Sequence, residues 1–150
     1  MLEQIDFKEI ITYTIHMGVA YALALPIAFN RESKTRGAGL RTFPIVAMAA
    51  CSFMLVGRAV LDGGDPQARV MYGLITGIGF IGGGAIMKND KTVSGTATAA
   101  SIWATGAIGM AVAYTQYNIA IVLSLATFLT LHFGMMAKKE IPECNKEEDE

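Results

Sequence analysis

Charged side chains are missing from most of this sequence. Five stretches, residues 10–29, 42–57, 70–87, 92–113 and 118–137, contain no Asp, Glu, Lys or Arg. A helix on the surface of a soluble bundle would carry a polar stripe at helical spacing; here the polar atoms inside the stretches are mostly hydroxyls and glycines. Each stretch approaches the ~20 residues that cross ~30 Å of hydrocarbon, the second by running on to Leu61 with Arg58 snorkelling. Cysteine is also scarce. Cys51 sits in an apolar run and Cys144 in an acidic tail, which excludes a disulfide framework and a CxxC redox or metal pair. A net charge of -1 and the lack of a basic patch with interleaved aromatics argue against nucleic acid as a partner.

The remaining chemistry is thin. His16 and His132 are the only histidines, and at 1.5 Å per residue their depths in their helices differ by roughly 13 Å, too much to share a metal. Asp62, Asp65 and the glycines between them lack the ligand number and spacing of a calcium loop. They read as a turn, with Asp65 capping the third helix, Pro66 at its first position, and Arg58 and Arg69 pairing with the two carboxylates. No nucleophile–base pair and no carboxylate dyad is recognisable. The sequence therefore predicts no catalytic residue, no cofactor and no metal ligand set: not an enzyme.

What is abundant is glycine in one place. Half of the twelve residues from Gly73 to Gly84 are glycine, and the run Gly-Thr-Ala-Thr-Ala-Ala-Ser follows at residues 95–101. Glycine in a helix costs about 1 kcal/mol relative to alanine in water, whereas in a bilayer small residues let helices approach closely. Gly77, Gly79 and Gly82 also match G-x-G-x-x-G, but no acidic residue follows at the distance a dinucleotide site requires. Packing is favoured: Gly73 and Gly77 lie four apart, as do Gly79 and Gly83. A partly unwound, carbonyl-exposing segment stays open as an alternative. The fourth run carries Ala97, Ser101, Thr105, Gly109 and Ala113 at spacing four, a ridge expected to face those glycines across the short turn at residues 88–91. Trp103, near the middle of that run, is expected to be wedged against protein.

At 150 residues with 53% apolar content the chain makes one domain. Its mean hydropathy of +0.42 is held down by the glycines and hydroxyls inside the runs. Lysine and arginine set an orientation. Arg31, Lys34, Arg36, Arg41, Lys88, Lys91, Lys138, Lys139 and Lys146 lie on one side, nine positives, against Lys8, Arg58 and Arg69, three, on the other. The positive-inside rule then puts the N-terminus out and the C-terminus in. Acidic Glu3, Asp6 and Glu9 precede the first run where a signal peptide needs basic residues, so it reads as an uncleaved span. Pro26 is expected to bend its inner end. The expected fold is an all-α polytopic membrane protein: a single domain of five transmembrane helices over residues 1–137, the third and fourth tightly packed, with a short charged cytoplasmic tail at residues 138–150.

The succession Arg31-Glu32, Gly39-Leu40-Arg41-Thr42, Asp65-Pro66, the glycines Gly77, Gly79, Gly82 and Gly84, and the segment from Gly95 through Thr98 to Trp103 resembles the bacterial MgtC/SapB family of inner-membrane proteins. The resemblance covers roughly residues 24–110. It implies a multi-pass protein of the bacterial inner membrane. It implies a regulator linked to magnesium limitation, stress adaptation and virulence, with magnesium transport as the older, alternative reading. Together the residues and the resemblance lead to functional or packing roles expected at Arg31, Glu32, Gly39, Arg41, Asp65, Arg69, Gly77, Gly79, Gly82, Gly84, Gly95, Thr98 and Trp103. The chain departs from the family at Asn30 and Phe43, where an acidic residue and a histidine are common, and the short charged tail is expected to stand where many members carry a soluble C-terminal domain. The partners implied are the lipid bilayer and another integral membrane protein or a second copy in a homo-oligomer, with Mg2+ involved only indirectly.

Overall fold

A computed structural model describes residues 6–33, 38–89 and 92–140. Five helices follow one another: α1 (Phe7–Glu32), α2 (Thr42–Val60), α3 (Gly64–Gly83), α4 (Thr96–Ala113) and α5 (Tyr117–Glu140). At 1.5 Å per residue they are about 27 to 39 Å long, matching a bilayer core. Four of them, α1, α2, α4 and the Tyr117–Gly134 part of α5, are long and apolar enough to cross a membrane. The glycine-rich α3 falls outside that set because glycine contributes length without hydropathy. Between α3 and α4 the chain forms a short antiparallel hairpin, β1 (Met87–Asn89) on β2 (Thr92–Ser94), with Lys88 opposite Val93. Residues 92–94 thus belong to a strand, not to the fourth span, and Asp90 and Lys91 of the expected turn lie outside the described residues.

Helix α4 is the centre of the bundle. It packs most extensively on α2 and also touches α1, α3 and α5. Its apolar window is half buried, against 11% for that of α5. Small residues make this possible: Ala24 and Ala28 of α1, Ala47 and Ala50 of α2, and Gly106, Gly109 and Ala113 of α4 are all buried. Larger groups such as Phe43, Met54, Ile102 and Ile108 fill the space left over. Phe29, Phe53, Val56, Phe80 and Val122 point outward, as a lipid-facing surface requires.

Helix α1 contains Pro26 and is capped by Asp6, whose Oδ1 accepts the Lys8 amide at 2.7 Å. Helix ends differ from the sequence expectation in two places. The cap of α3 is Gly63 at φ +85°, which only glycine adopts cheaply, so Asp65 and Pro66 fall inside the first turn and no side chain caps it. Helix α5 continues to Glu140, into the segment expected as a tail; residues 141–150 lie outside the described residues.

Candidate functional site

The predicted residues that come together do so where α1 ends and α4 begins. Arg31, in the last turn of α1, is buried and donates through Nη2 to Thr98 Oγ1 at 2.7 Å. Thr98 lies in the first turn of α4, itself only 5% exposed. Next to Arg31, Asn30 is buried with its Oδ1 accepting no hydrogen bond among the described residues. Glu32 turns the other way: its Oε2 accepts the Leu40 amide at 2.9 Å and lies over Gly39, where a Cβ would strike that carboxylate. Gly39 then accepts the Phe43 amide at 3.2 Å, starting α2. One carboxylate thereby ties the end of α1 to the start of α2.

Two glycines complete this end. Gly95 has φ +85°, and a Cβ there would also meet the Ala85 carbonyl, so both conformation and space demand glycine. At Gly82 a Cβ would lie 3.1 Å from the Ala99 carbonyl oxygen, so α3 approaches the backbone of α4 at this point. Gly84 closes α3, its amide bonded to the Phe80 carbonyl. Arg41 stands exposed as the N-cap residue of α2 without a side-chain cap bond. Arg31, Glu32, Gly39, Gly82, Gly95 and Thr98 therefore form one constellation. It joins four helix ends, and its buried cation is an internal strut, not part of a contact surface.

Other expected residues sit elsewhere. Asp65 and Arg69 lie toward the opposite end of α3, about 26 Å and about 20 Å along the helix from Gly82. Both are exposed, and among the described residues neither Asp62 nor Asp65 is ion-paired. Arg58 instead donates to the Ala113 carbonyl and lies over the Tyr114 ring, 5.3 Å from its centroid. Gly77 and Gly79 are corrected as packing residues: nothing lies within 4 Å of a Cβ built at either. Helical phase explains this, since only Ile78 and Gly82 of α3 are buried. The ridge on α4 is real at Ser101, Thr105, Gly109 and Ala113, but Gly109 faces Ala47 and Ala50 of α2, and α3 is met instead by Gly106 through Ile78. Trp103 is 55% exposed, on the outer face of α4, not wedged against protein.

Gly73 and Gly77 have a different setting. They line an apolar groove of about 460 Å³ between α2 and α3, walled by Ile45, Ala49, Phe53 and Ile81. Buried hydroxyls elsewhere are spent on backbone: Ser101 on Ala97, Thr105 on Ser101, and Ser124 on Leu23 of α1 at 2.6 Å. Ser124 and Gln67, which donates to the Leu61 carbonyl at 3.1 Å, carry tertiary bonds that no sequence motif marks.

Comparison with known proteins points to one family. The model of the MgtC family matches residues 17–139. Over 113 residues the chain is 38% identical to an Escherichia coli protein named putative magnesium transporter YhiD, covering 70% of this chain and 52% of the relative. It is 30% identical over 134 residues to Protein MgtC of Salmonella typhimurium, covering 89% of this chain and 56% of the relative. To Protein MgtC of Brucella abortus it is 37% identical over 91 residues, covering 61% and 38%. The chain thus spans about half the length, or less, of these curated relatives. No solved structure matches it. With most of its helices inside the matched region and the buried Arg31–Thr98 strut within it, this membrane protein belongs to the MgtC family.

Proposed function

We propose that this protein is a multi-pass regulator of the bacterial inner membrane, not an enzyme. It acts by helix–helix contact with other membrane proteins during magnesium limitation, stress or virulence adaptation, and it does not itself carry Mg2+. One observation carries the reading. Among the described residues the buried polar side chains are His16, Asn30, Arg31, Thr98, Ser101, Thr105 and Ser124, so the buried charge is a cation. A divalent cation entering the bundle would meet Arg31 and no buried carboxylate, although Mg2+ is ordinarily held by carboxylates and retained water. The open groove over Gly73 and Gly77 supports the contact half of the proposal, because small residues let a neighbouring helix come close.

The second reading, a component of magnesium transport, is favoured by the name of the Escherichia coli relative. Flux separates the two. Protein reconstituted into liposomes with an entrapped Mg2+ indicator is expected to match empty vesicles, while gentle crosslinking in native membranes recovers a membrane-protein partner. Saturable uptake abolished by Gly82→Leu would establish transport instead.

A further inference from the structure

At the end of the bundle away from the Arg31–Thr98 strut lies a second, polar pocket that the proposed function does not use. It has a volume of about 300 Å³ and is lined by Thr12, Tyr13, His16, Leu55, Arg58, Ala59 and Thr115. Three helix ends build it. Tyr13 and His16 come from the N-terminal half of α1, Arg58 from the last turn of α2, and Thr115 from the link between α4 and α5. That link is held tightly: among the described residues Thr115 is the non-glycine residue with positive φ, +58°, and its amide bonds the Val112 carbonyl at 2.9 Å. A β-branched residue in this conformation is uncommon, and it persists only where the surroundings determine it.

The lining has an asymmetric hydrogen-bonding character. The hydroxyls of Thr12 and Thr115 already donate to the Lys8 and Tyr114 carbonyls, so toward the pocket they offer only lone pairs. His16 Nδ1 lies 2.8 Å from the Thr12 carbonyl. A carbonyl only accepts, so Nδ1 carries the proton and Nε2 of the neutral ring is left as an acceptor. Donors toward the pocket come from two groups. Arg58 spends one N–H on the Ala113 carbonyl and keeps the rest of its guanidinium, and the Tyr13 hydroxyl has no partner among the described residues. No carboxylate lines the pocket, and among the described residues none pairs with Arg58. A permanent cation, a phenolic donor and an imidazole acceptor beside two apolar side chains, Leu55 and Ala59, suit an oxyanion that also carries a hydroxyl.

We propose that this pocket binds a phosphate oxyanion, held by Arg58 and Tyr13, with His16 Nε2 accepting from a hydroxyl of the same molecule. Guanidinium matches phosphate in geometry and in charge. The volume is about ten times the ~30 Å³ share of one water, room for a phosphate and a short alcohol. Arg58 also stands in the last turn of α2, a helix long and apolar enough to cross a membrane, where a lipid headgroup could reach it. The same chemistry is offered by an anionic phospholipid headgroup and by free phosphate, and the test separates them.

Full-length protein purified in a phosphate-free maltoside detergent is titrated with phosphatidylglycerol, with diacylglycerol lacking the phosphate, and with inorganic phosphate. Native mass spectrometry reads the lipids and the thermal midpoint reads all three. The expected result is one bound phosphatidylglycerol and no retained diacylglycerol. Stabilisation by inorganic phosphate in place of lipid would assign the pocket to the free anion. Arg58→Gln is expected to weaken binding about tenfold or more and Tyr13→Phe roughly three- to tenfold, as lost hydrogen bonds to a charged group require. Because Arg58 also closes the end of α4, Tyr13→Phe carries the decision. The proposal is overturned if neither phosphate source binds, if diacylglycerol binds as well as phosphatidylglycerol, or if Tyr13→Phe binds as tightly as the parent.

Discussion

Arg31 and Thr98, 67 residues apart in sequence, are joined by a buried hydrogen bond of 2.7 Å that fastens the end of α1 to the start of α4. The donor is an arginine in an environment with little water, so the acceptor matters more than it would at a surface. Removing one partner of a buried pair leaves the other desolvated, a cost of about 1–3 kcal/mol and more for charged groups. Thr98→Val keeps the shape and deletes the acceptor. Its thermal midpoint in mild detergent is expected to fall by several degrees, while Thr98→Ser stays close to the parent. Equal midpoints for parent and Thr98→Val would show that the bond contributes nothing.

The glycines separate into two classes, and substitution tests the division. A Cβ at Gly109 would strike the Ala47 carbonyl, which is backbone and cannot turn aside, whereas at Gly106 it meets the flexible end of Ile78. At Gly77 and Gly79 it meets nothing within 4 Å. Gly109→Ala is therefore expected to lower folded yield most, by the equivalent of about 1–3 kcal/mol of overpacking. Gly106→Ala should cost less. Gly77→Ala and Gly79→Ala should leave the isolated protein unchanged or slightly more stable, since alanine favours helix. A loss at Gly77 as large as at Gly109 would mean that α3 packs on a face other than the one seen.

Why some of this was legible and some was not follows from what each signal reports. Charge-free runs mark α1, α2, α4 and α5 because the cost of burying charge in hydrocarbon acts on composition alone. The Arg31-Glu32, Gly39 and Gly95–Thr98 segments were recognisable as strings, and they do meet in space. Glycine spacing, by contrast, says that a face is smooth without saying what it faces. Gly77 lies on a groove, and Gly109, noted only as part of a ridge, makes the close crossing with α2. The hairpin is hidden because Thr92, Val93 and Ser94 run into the next span without a charge; the β-branched Thr92 and Val93 and the following Gly95 are the available clue. Trp103 faces outward because α4 places Ile102 and Thr105, not Trp103, against its neighbours.

Glu32 offers a test of the loop that joins α1 to α2. Its carboxylate accepts the Leu40 amide at 2.9 Å and occupies the space above Gly39. Glu32→Gln keeps a carbonyl that can accept the same bond and is expected to be nearly neutral in stability. Glu32→Ala loses a charge-assisted bond, and the Leu40 amide should exchange its proton distinctly faster in hydrogen-exchange measurements. Gly39→Ala is expected to resemble Glu32→Ala, because the added methyl displaces the same carboxylate. Unaltered exchange at Leu40 in both variants would sever the proposed tie.

Membrane topology is the last test, and α3 decides it. By hydropathy this helix is not among those able to span, yet the structure places its two ends at opposite ends of the bundle. A Cβ at Gly57 would lie 3.5 Å from Val70, near where α2 finishes, and Gly82 approaches Ala99, where α4 begins. The intervening helix is 20 residues long, about 30 Å, the thickness of the hydrocarbon core. Packing against α2 and α4 can carry a glycine-rich segment through the membrane although its composition alone would not. Five crossings together with the nine-to-three division of lysine and arginine predict Ser33 and Asn145 in the cytoplasm, with Gly63 and Gln116 outside. Asn145 lies outside the described residues, so its reporter tests orientation alone. Compartment-specific reporters fused at the four positions should read inside, outside, outside and inside in chain order, with a reporter at Ser94 inside between Gly63 and Gln116. Finding Gly63 and a reporter at Ser94 on the same face would show that α3 does not cross, and would leave four spans in place of five.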